Sequence, residues 1–265
     1  NKYYKYEDPE YSITQTPLNE QDLKTMSEAV EVLRQFKGFS YFTEMSDIIN
    51  RLEDHVASAR MKTTPVIDFE KNESLKGLDY LDTIYHAIVN EHPIQLKYRS
   101  FKARSANSFI FYPYLLKEYR NRWFVYGVRG NGRILQNLAL DRIQSLEVLP
   151  QEHYIKNTFF DPNTFFDDLV GVTKNTGSVA EKVGFKVAAA EATYIITKPI
   201  HRSQQVVERL ADGSVILEIE VVINHELERV FFGYAEGIQV LYPKTLVELM
   251  GRKLKKAAEQ YTHSK

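Results

Sequence analysis

The chain has 265 residues, 43% of them hydrophobic, no cysteine, and a formal net charge of -1. That supports two modest domains and is too apolar for a disordered chain. The missing cysteines exclude disulfides, thiolate metal sites and a cysteine nucleophile, and fit a reducing cytoplasm. A charge so near zero leaves no global field to attract nucleic acid, so any such contact needs a local patch or a part not in this chain. No apolar run reaches about 18 residues, so no membrane span is expected. The polar, tyrosine-rich residues 1–10 do not read as a signal peptide, and the start at Asn1 reads as a piece of a longer protein.

Residues 1–74 are expected to form a helical linker. A polar tail over 1–16 precedes Pro17 and Asn19, a candidate N-cap. Leu23, Met26, Val30 and Leu33 then recur every three or four residues, until Gly38 ends the helix. Met45, Ile48, Ile49, Leu52 and Val56 mark a second helix. Either these stripes pack on each other or on the next domain, or they form a dimerisation arm, since two lone helices bury too little to be a domain. A polar stretch over 62–74 holds a short strand at Val66–Phe69.

Residues 75–150 are expected to be the second region. Leu78, Leu81, Ile84, Tyr85 and Ile88 predict a helix from about Leu75 to Asn90, closed by Pro93. From Ile94 the period drops to two, with Leu96 and Tyr98 alternating with Gln95, Lys97 and Arg99. Further strands are predicted near 108–117, 122–129, 133–141 and 143–149, with Gly130-Asn131-Gly132 as a hairpin turn. Five short strands after one helix predict a small β-barrel with the helix on one mouth. Residues 151–180 read as a connector, with a short helix around Asp161-Pro162 and Phe165-Phe166. Residues 181–265 read as a separate domain of β-α-β-β-α-β order: strand 182–188, helix 189–197, strands 203–210 and 214–223 joined by Asp212-Gly213, helix 225–236 and strand 238–242. That order is a ferredoxin-like split βαβ unit. A last amphipathic helix spans about 244–261. The fold class is α+β.

The motifs of common enzymes are missing: no H-E-x-x-H, no G-x-S-x-G and no Walker loop. Asp167-Asp168 point apart as neighbours and make a poor acid–base pair. His201 and His225 lack acidic partners at ligand spacing, so no metal is expected. Neither catalysis nor a cofactor is expected.

Binding chemistry concentrates in the barrel strands. Residues 94–149 hold ten basic residues (Lys97, Arg99, Lys102, Arg104, Lys117, Arg120, Arg122, Arg129, Arg133, Arg142) against three acidic ones (Glu118, Asp141, Glu147), a local balance of +7. Arginine dominates, and its guanidinium suits bidentate contact with phosphate or carboxylate. Tyr98, Tyr112, Tyr114, Tyr119, Trp123 and Tyr126 are interleaved with these charges, a mixture that suits base stacking plus phosphate pairing. The expected partner is an anionic effector, a nucleotide or single-stranded nucleic acid. Arg99, Arg129, Arg133 and Arg142 are assigned to phosphates, and Tyr98 and Tyr126 to stacking or hydrogen bonding; Arg104, Arg122 and Trp123 complete the candidate set. The plainer alternatives stay open: a solvated basic face over ordinary core aromatics, Trp123 as core or lid, and Asp141-Arg142 as a salt bridge that fixes a turn.

Arg122-Trp123-Phe124-Val125, Lys97-Tyr98-Arg99, Tyr112-Pro113-Tyr114-Leu115-Leu116 and Leu140-Asp141-Arg142-Ile143 together resemble the WYL domain of bacterial transcription regulators. The signature Trp-Tyr-Leu reads Trp123-Phe124-Val125, and Ala139 stands where the family often has arginine, so one expected pocket charge is missing. Glu226-Leu227, Gly233 and Val240-Leu241-Tyr242-Pro243 resemble the extension often found after WYL domains. The resemblance implies an Sm-like arrangement for the barrel, a sensor that binds its ligand there, a homodimer, and operator DNA held by an N-terminal winged helix-turn-helix absent from this chain. A purely structural oligomerisation module is the second expectation, and an unrecognised hydrolase or nuclease the third.

Overall fold

The computed structural model describes residues 76–130, 132 and 134–262, with Asp22 and Thr25 in the N-terminal stretch. Asp22 and Thr25 are helical; the remainder of the two helices expected over 18–58, and the strand at Val66–Phe69, lie outside the described residues. The chain falls into two compact units, residues 1–86 and 87–265.

The predicted third helix is a 3-10 turn, Leu78–Tyr80, running into α1, Leu81–Val89. Gly77 precedes it at φ 83, a left-handed conformation open to glycine. Leu78, Leu81, Ile84 and Ala87 are its buried positions, every third residue along one face.

Five strands follow: β1 Ile94–Tyr98, β2 Asn107–Tyr119, β3 Arg122–Arg129, β4 Leu135–Ala139 and β5 Ile143–Val148. They form one antiparallel sheet of order β4-β3-β2-β1-β5. β2 serves two neighbours with different halves. Asn107 to Phe111 pair with β1, Phe111 to Tyr119 with β3, and Phe111 alone belongs to both ladders. Pro113 therefore lies beyond the reach of β1, and the absence of its N–H costs that ladder nothing. Gly127 lies inside β3 rather than in a turn. A Cβ there would come within 2.1 Å of the Tyr112 carbonyl oxygen and 2.6 Å of the Phe111 ring, so the close approach of β2 and β3 demands glycine. Gly130, at φ 53, is the residue that turns the chain after β3.

The expected closed barrel is not formed. β4 and β5 are the two edges and do not pair with each other. The strand predicted to run through residue 141 ends at Ala139, and a 3-10 turn, Leu140–Arg142, carries the chain directly into β5. The edges are joined by three residues of chain instead of a hydrogen-bonded ladder.

The second sheet is also antiparallel: β6 Glu181–Val187, β7 Gln205–Arg209, β8 Val215–Val221 and β9 Ile238–Tyr242, in the order β7-β8-β6-β9. Between them lie α2 Ala189–Thr197 and α3 His225–Gly233, and α4 Lys244–Thr262 follows β9. Alternate residues Val183, Phe185 and Val187 of β6 and Val215, Leu217, Ile219 and Val221 of β8 share one core with Ile195, Leu227, Phe231, Leu246 and Met250 of the helices. Period-two strands thus lay one face against the helices' apolar stripes. Asp212-Gly213 makes the hairpin as read, with Gly213 at φ 81 and the Asp212 carboxylate accepting from the Ser214 N–H at 2.9 Å.

Residues 151–180 are packed chain, not a loose linker. The expected short helix is a run of turns closed by bonds such as Phe165 N–H to the Asp161 carbonyl, 2.9 Å. The Tyr154 hydroxyl donates to the Pro113 carbonyl, and Tyr154, Phe159 and Phe160 cover Tyr112, Tyr114 and Val128 of the first sheet. Residues 168–174 then tie the sheets together. The Val172 carbonyl accepts from the Tyr126 hydroxyl and, at 2.7 Å, from the Asn137 amide. From the second domain the Asn224 amide donates to the Val170 carbonyl at 3.0 Å and the Thr173 carbonyl at 2.9 Å. Its Oδ1 meanwhile accepts the Leu227 N–H at 2.8 Å and so caps α3. The Val222 N–H donates to the Asp168 carbonyl at 2.8 Å.

Candidate functional site

A cleft of about 290 Å³ opens where β1 ends and β5 begins. Arg99, Ser100 and Phe101, just after β1, form one wall; Asp141, Arg142, Ile143 and Gln144 form the other. The walls are 40 residues apart in sequence. They meet because β1 pairs with β5, Tyr98 lying opposite Ile143. The Arg99 N–H donates to the Arg142 carbonyl at 3.1 Å and locks the two segments together. Arg99 also sends its Nε to the Ala103 carbonyl at 3.4 Å, which braces the turn that carries Phe101.

Asp141 stands between two guanidinium groups. Its Oδ2 is 3.3 Å from Arg122 Nε and its Oδ1 is 3.8 Å from Arg142 Nε. Asp141 Oδ1 and Arg142 Nε are both buried without a hydrogen bond, so charge alone joins them at that distance. The other side of Arg142 lies over the Phe101 ring, with 4.4 Å from guanidinium carbon to ring centroid. Tyr98 completes the group. Its half-buried hydroxyl faces the Arg142 guanidinium and the Ala139 N–H; burial raises its pKa above the ordinary 10.0, and those two donors partly oppose the rise. Two arginines at one cleft, one stacked on a ring and one beside it, can hold an anion bidentately.

The expected candidates divide into several places. Arg99 and Arg142 line the cleft, Tyr98 meets it only through the Arg142 guanidinium, and Arg122 is tied to it through Asp141. Arg129 does not join them: seven residues further along β3, about 23 Å at strand spacing, its guanidinium sits 4.1 Å over the Phe109 ring. Arg104 is exposed in the turn between β1 and β2, away from the cleft lining. Trp123 is half-buried on β3, opposite Glu118. Arg133 lies outside the described residues. Tyr126 needs correction as a ligand-facing ring. It is 2% exposed, its hydroxyl is bound to Val172, and its ring is wedged against Phe160, Phe165 and Phe166. Burial raises its pKa strongly. The parity of β3 turns it toward the aromatic connector instead of toward ligand.

Phe101 was missed. The signal was present: a lone phenylalanine in the polar run Ser100-Phe101-Lys102-Ala103-Arg104 has no strand or helix to bury it. Among the described residues no group of acidic, histidine or cysteine side chains is arranged to hold a metal, and no helix is long and apolar enough to cross a membrane.

Comparison with known families matches residues 79–148 to the WYL domain and residues 180–258 to the WCX domain. The cleft lies wholly within the first match. No curated protein sequence matches the chain. Among solved structures, it is similar to proteasome accessory factor B/C of Arthrobacter aurescens, at 16% identity and a TM-score of 0.29 over 72% of this chain. The chain spans 28% of the length of that protein. It is also similar to a CRISPR Cas-related protein, at 10% identity and a TM-score of 0.44, covering 91% of this chain and 86% of the other.

Proposed function

We propose that this chain, which belongs to the WYL-domain family, is the ligand-sensing portion of a bacterial DNA-binding transcriptional regulator and binds an anionic effector, a nucleotide or short nucleic acid. The observation that carries this is the meeting of Arg99 and Arg142 at one cleft, across 43 residues of sequence, with an aromatic ring beside them. The strand order β4-β3-β2-β1-β5, with its edges joined by three residues, supports an Sm-like reading of the first sheet. The order β7-β8-β6-β9 with α2 and α3 supports a ferredoxin-like reading of the second. In this proposal the protein is not an enzyme, works in the cytoplasm as a homodimer, and reaches operator DNA through a winged head that precedes these residues. Effector binding would shift the balance between two arrangements of the dimer and so change how the heads are spaced.

Arg142→Ala tests the reading. A charge-assisted bond to phosphate contributes on the order of 1.5–3 kcal/mol, so affinity for a 5′-phosphorylated oligonucleotide should fall about 10- to 100-fold with the fold intact. Unchanged affinity in a titration removes Arg142 from the site. A second reading, a structural module without ligand, is favoured by the way Asp141 already occupies Arg122 and approaches Arg142. A thermal-shift screen separates the two, since only a specific binder raises the melting temperature with ligand concentration.

A further inference from the structure

We propose that Phe101 is the stacking platform of the cleft and that it makes the site selective for a ligand carrying a planar base next to its phosphate. The inference rests on the anionic-effector reading above and deepens it: a bare anion would need only the arginines.

Phe101 is 71% exposed and is not among the large fully buried side chains. It therefore contributes little to folding where it stands. One face of its ring is taken by the Arg142 guanidinium, and the rest is open to solvent. The ring is also braced. Its turn is closed by the Ala103 N–H to the Ser100 carbonyl, 3.0 Å, and by Arg99 Nε to the Ala103 carbonyl. A braced, exposed ring with a cation stacked behind it presents a π-face at low entropic cost, the arrangement by which proteins hold unpaired bases. The other rings nominated for stacking are engaged elsewhere: Tyr98 turns its hydroxyl toward Arg142, and Tyr126 is buried. The cleft, about 290 Å³, lies near the lower end of the roughly 300–1,000 Å³ of small-molecule sites, room for one base–sugar–phosphate unit. Arg99 and Arg142 take the phosphate and Phe101 takes the base. That unit can come free, as a nucleotide, or as one residue of a single strand.

The test compares four probes on the whole chain: a nucleoside 5′-monophosphate, a 5′-phosphorylated single-stranded oligonucleotide, the same strand with its terminal base removed, and inorganic phosphate. Phe101→Ala should weaken the two base-bearing probes about 5- to 100-fold and leave the abasic strand and phosphate unchanged. Phe101→Trp should keep or raise base-bearing affinity. Neither substitution should move the melting temperature, because the side chain is exposed. The mononucleotide and oligonucleotide arms tell the free ligand from the strand. If wild type binds and Arg142→Ala abolishes binding, but Phe101→Ala spares the base-bearing probes or weakens the abasic strand equally, the stacking role is overturned and the anion site stands. If wild type holds none of the four, the anion site falls and the platform with it.

Discussion

Asn224 makes three hydrogen bonds at the joint between the two sheets, and removing them gives a stability change that can be worked out in advance. In Asn224→Ala the cap of α3 is lost, a change worth about 1 kcal/mol. The Val170 and Thr173 carbonyls each lose a buried partner, on the order of 1 kcal/mol apiece at the lower end of the usual range. The sum is about 3 kcal/mol. For a folded unit of this size that corresponds to a fall in melting temperature of roughly 6–12 °C. Two further variants separate cap from clasp. Asn224→Ser keeps a cap oxygen and loses the amide, so it should fall between wild type and alanine. Asn224→Asp is the sharper case. Aspartate is a good cap, and its charge suits a helix N-terminus, but here it turns an oxygen toward two carbonyls, two residues from the buried Glu226. It should be no more stable than alanine. Thermal melts followed by far-UV circular dichroism and by the fluorescence of Trp123, the single tryptophan, give the readout, since Trp123 reports on the first sheet while the substitution is in the second domain. An Asn224→Asp protein that melts with wild type would mean that the bonds to 170 and 173 contribute nothing.

Gly127→Ala should destabilise by about 3 kcal/mol or more, beyond the usual cost of overpacking, because the added methyl meets a backbone oxygen that cannot swing aside; soluble yield and urea midpoint are the measurements, and a near-wild-type midpoint would contradict the close approach. His201 should make stability depend on pH. Burial lowers its pKa below the ordinary 6.5, and its Nδ1 already accepts the Ser203 N–H at 3.2 Å, which favours the neutral ring. The folded state thus binds the proton less readily than the unfolded chain, so this contribution is present above about pH 6.5 and is lost as pH falls through the folded value. Denaturation midpoints from pH 8 to 5 should show that loss in wild type and a shallower one in His201→Gln.

Several strand ends are legible from a neighbouring glycine or proline: β1 follows Pro93, Gly130 follows β3 and Pro243 follows β9. Ile94-Gln95-Leu96-Lys97-Tyr98 could be read from its residues alone. The cleft could not, because β1 and β5 are separated by three strands, and nothing local says that Tyr98 will face Ile143. The local excess of seven positive charges covers the strands around the cleft but does not single out the residues that line it. Spread over three strands and the turns around them, those charges go to different places: Arg129 to Phe109, Arg120 to Tyr119, and Arg142 to Phe101. Tyr112 and Tyr114 alternate with their neighbours and fall on a covered face of the sheet, where the aromatic residues of 154–160 bury them. Tyr154, Phe159 and Phe160 thereby tie the connector to the first sheet.

The first sheet is left unfastened along a single line. The 3-10 turn that joins the two edges is held instead by its neighbours: the Arg99 N–H just after β1 donates to the Arg142 carbonyl, and Asp141 pairs with Arg122 of β3. The cleft lies beside that turn, where the β1–β5 ladder ends. Under the proposed function, a guest bridging Arg99 and Arg142 would add a removable stitch beside the single backbone bond that now joins them, and the sheet's resistance to opening would gauge how much guest is present.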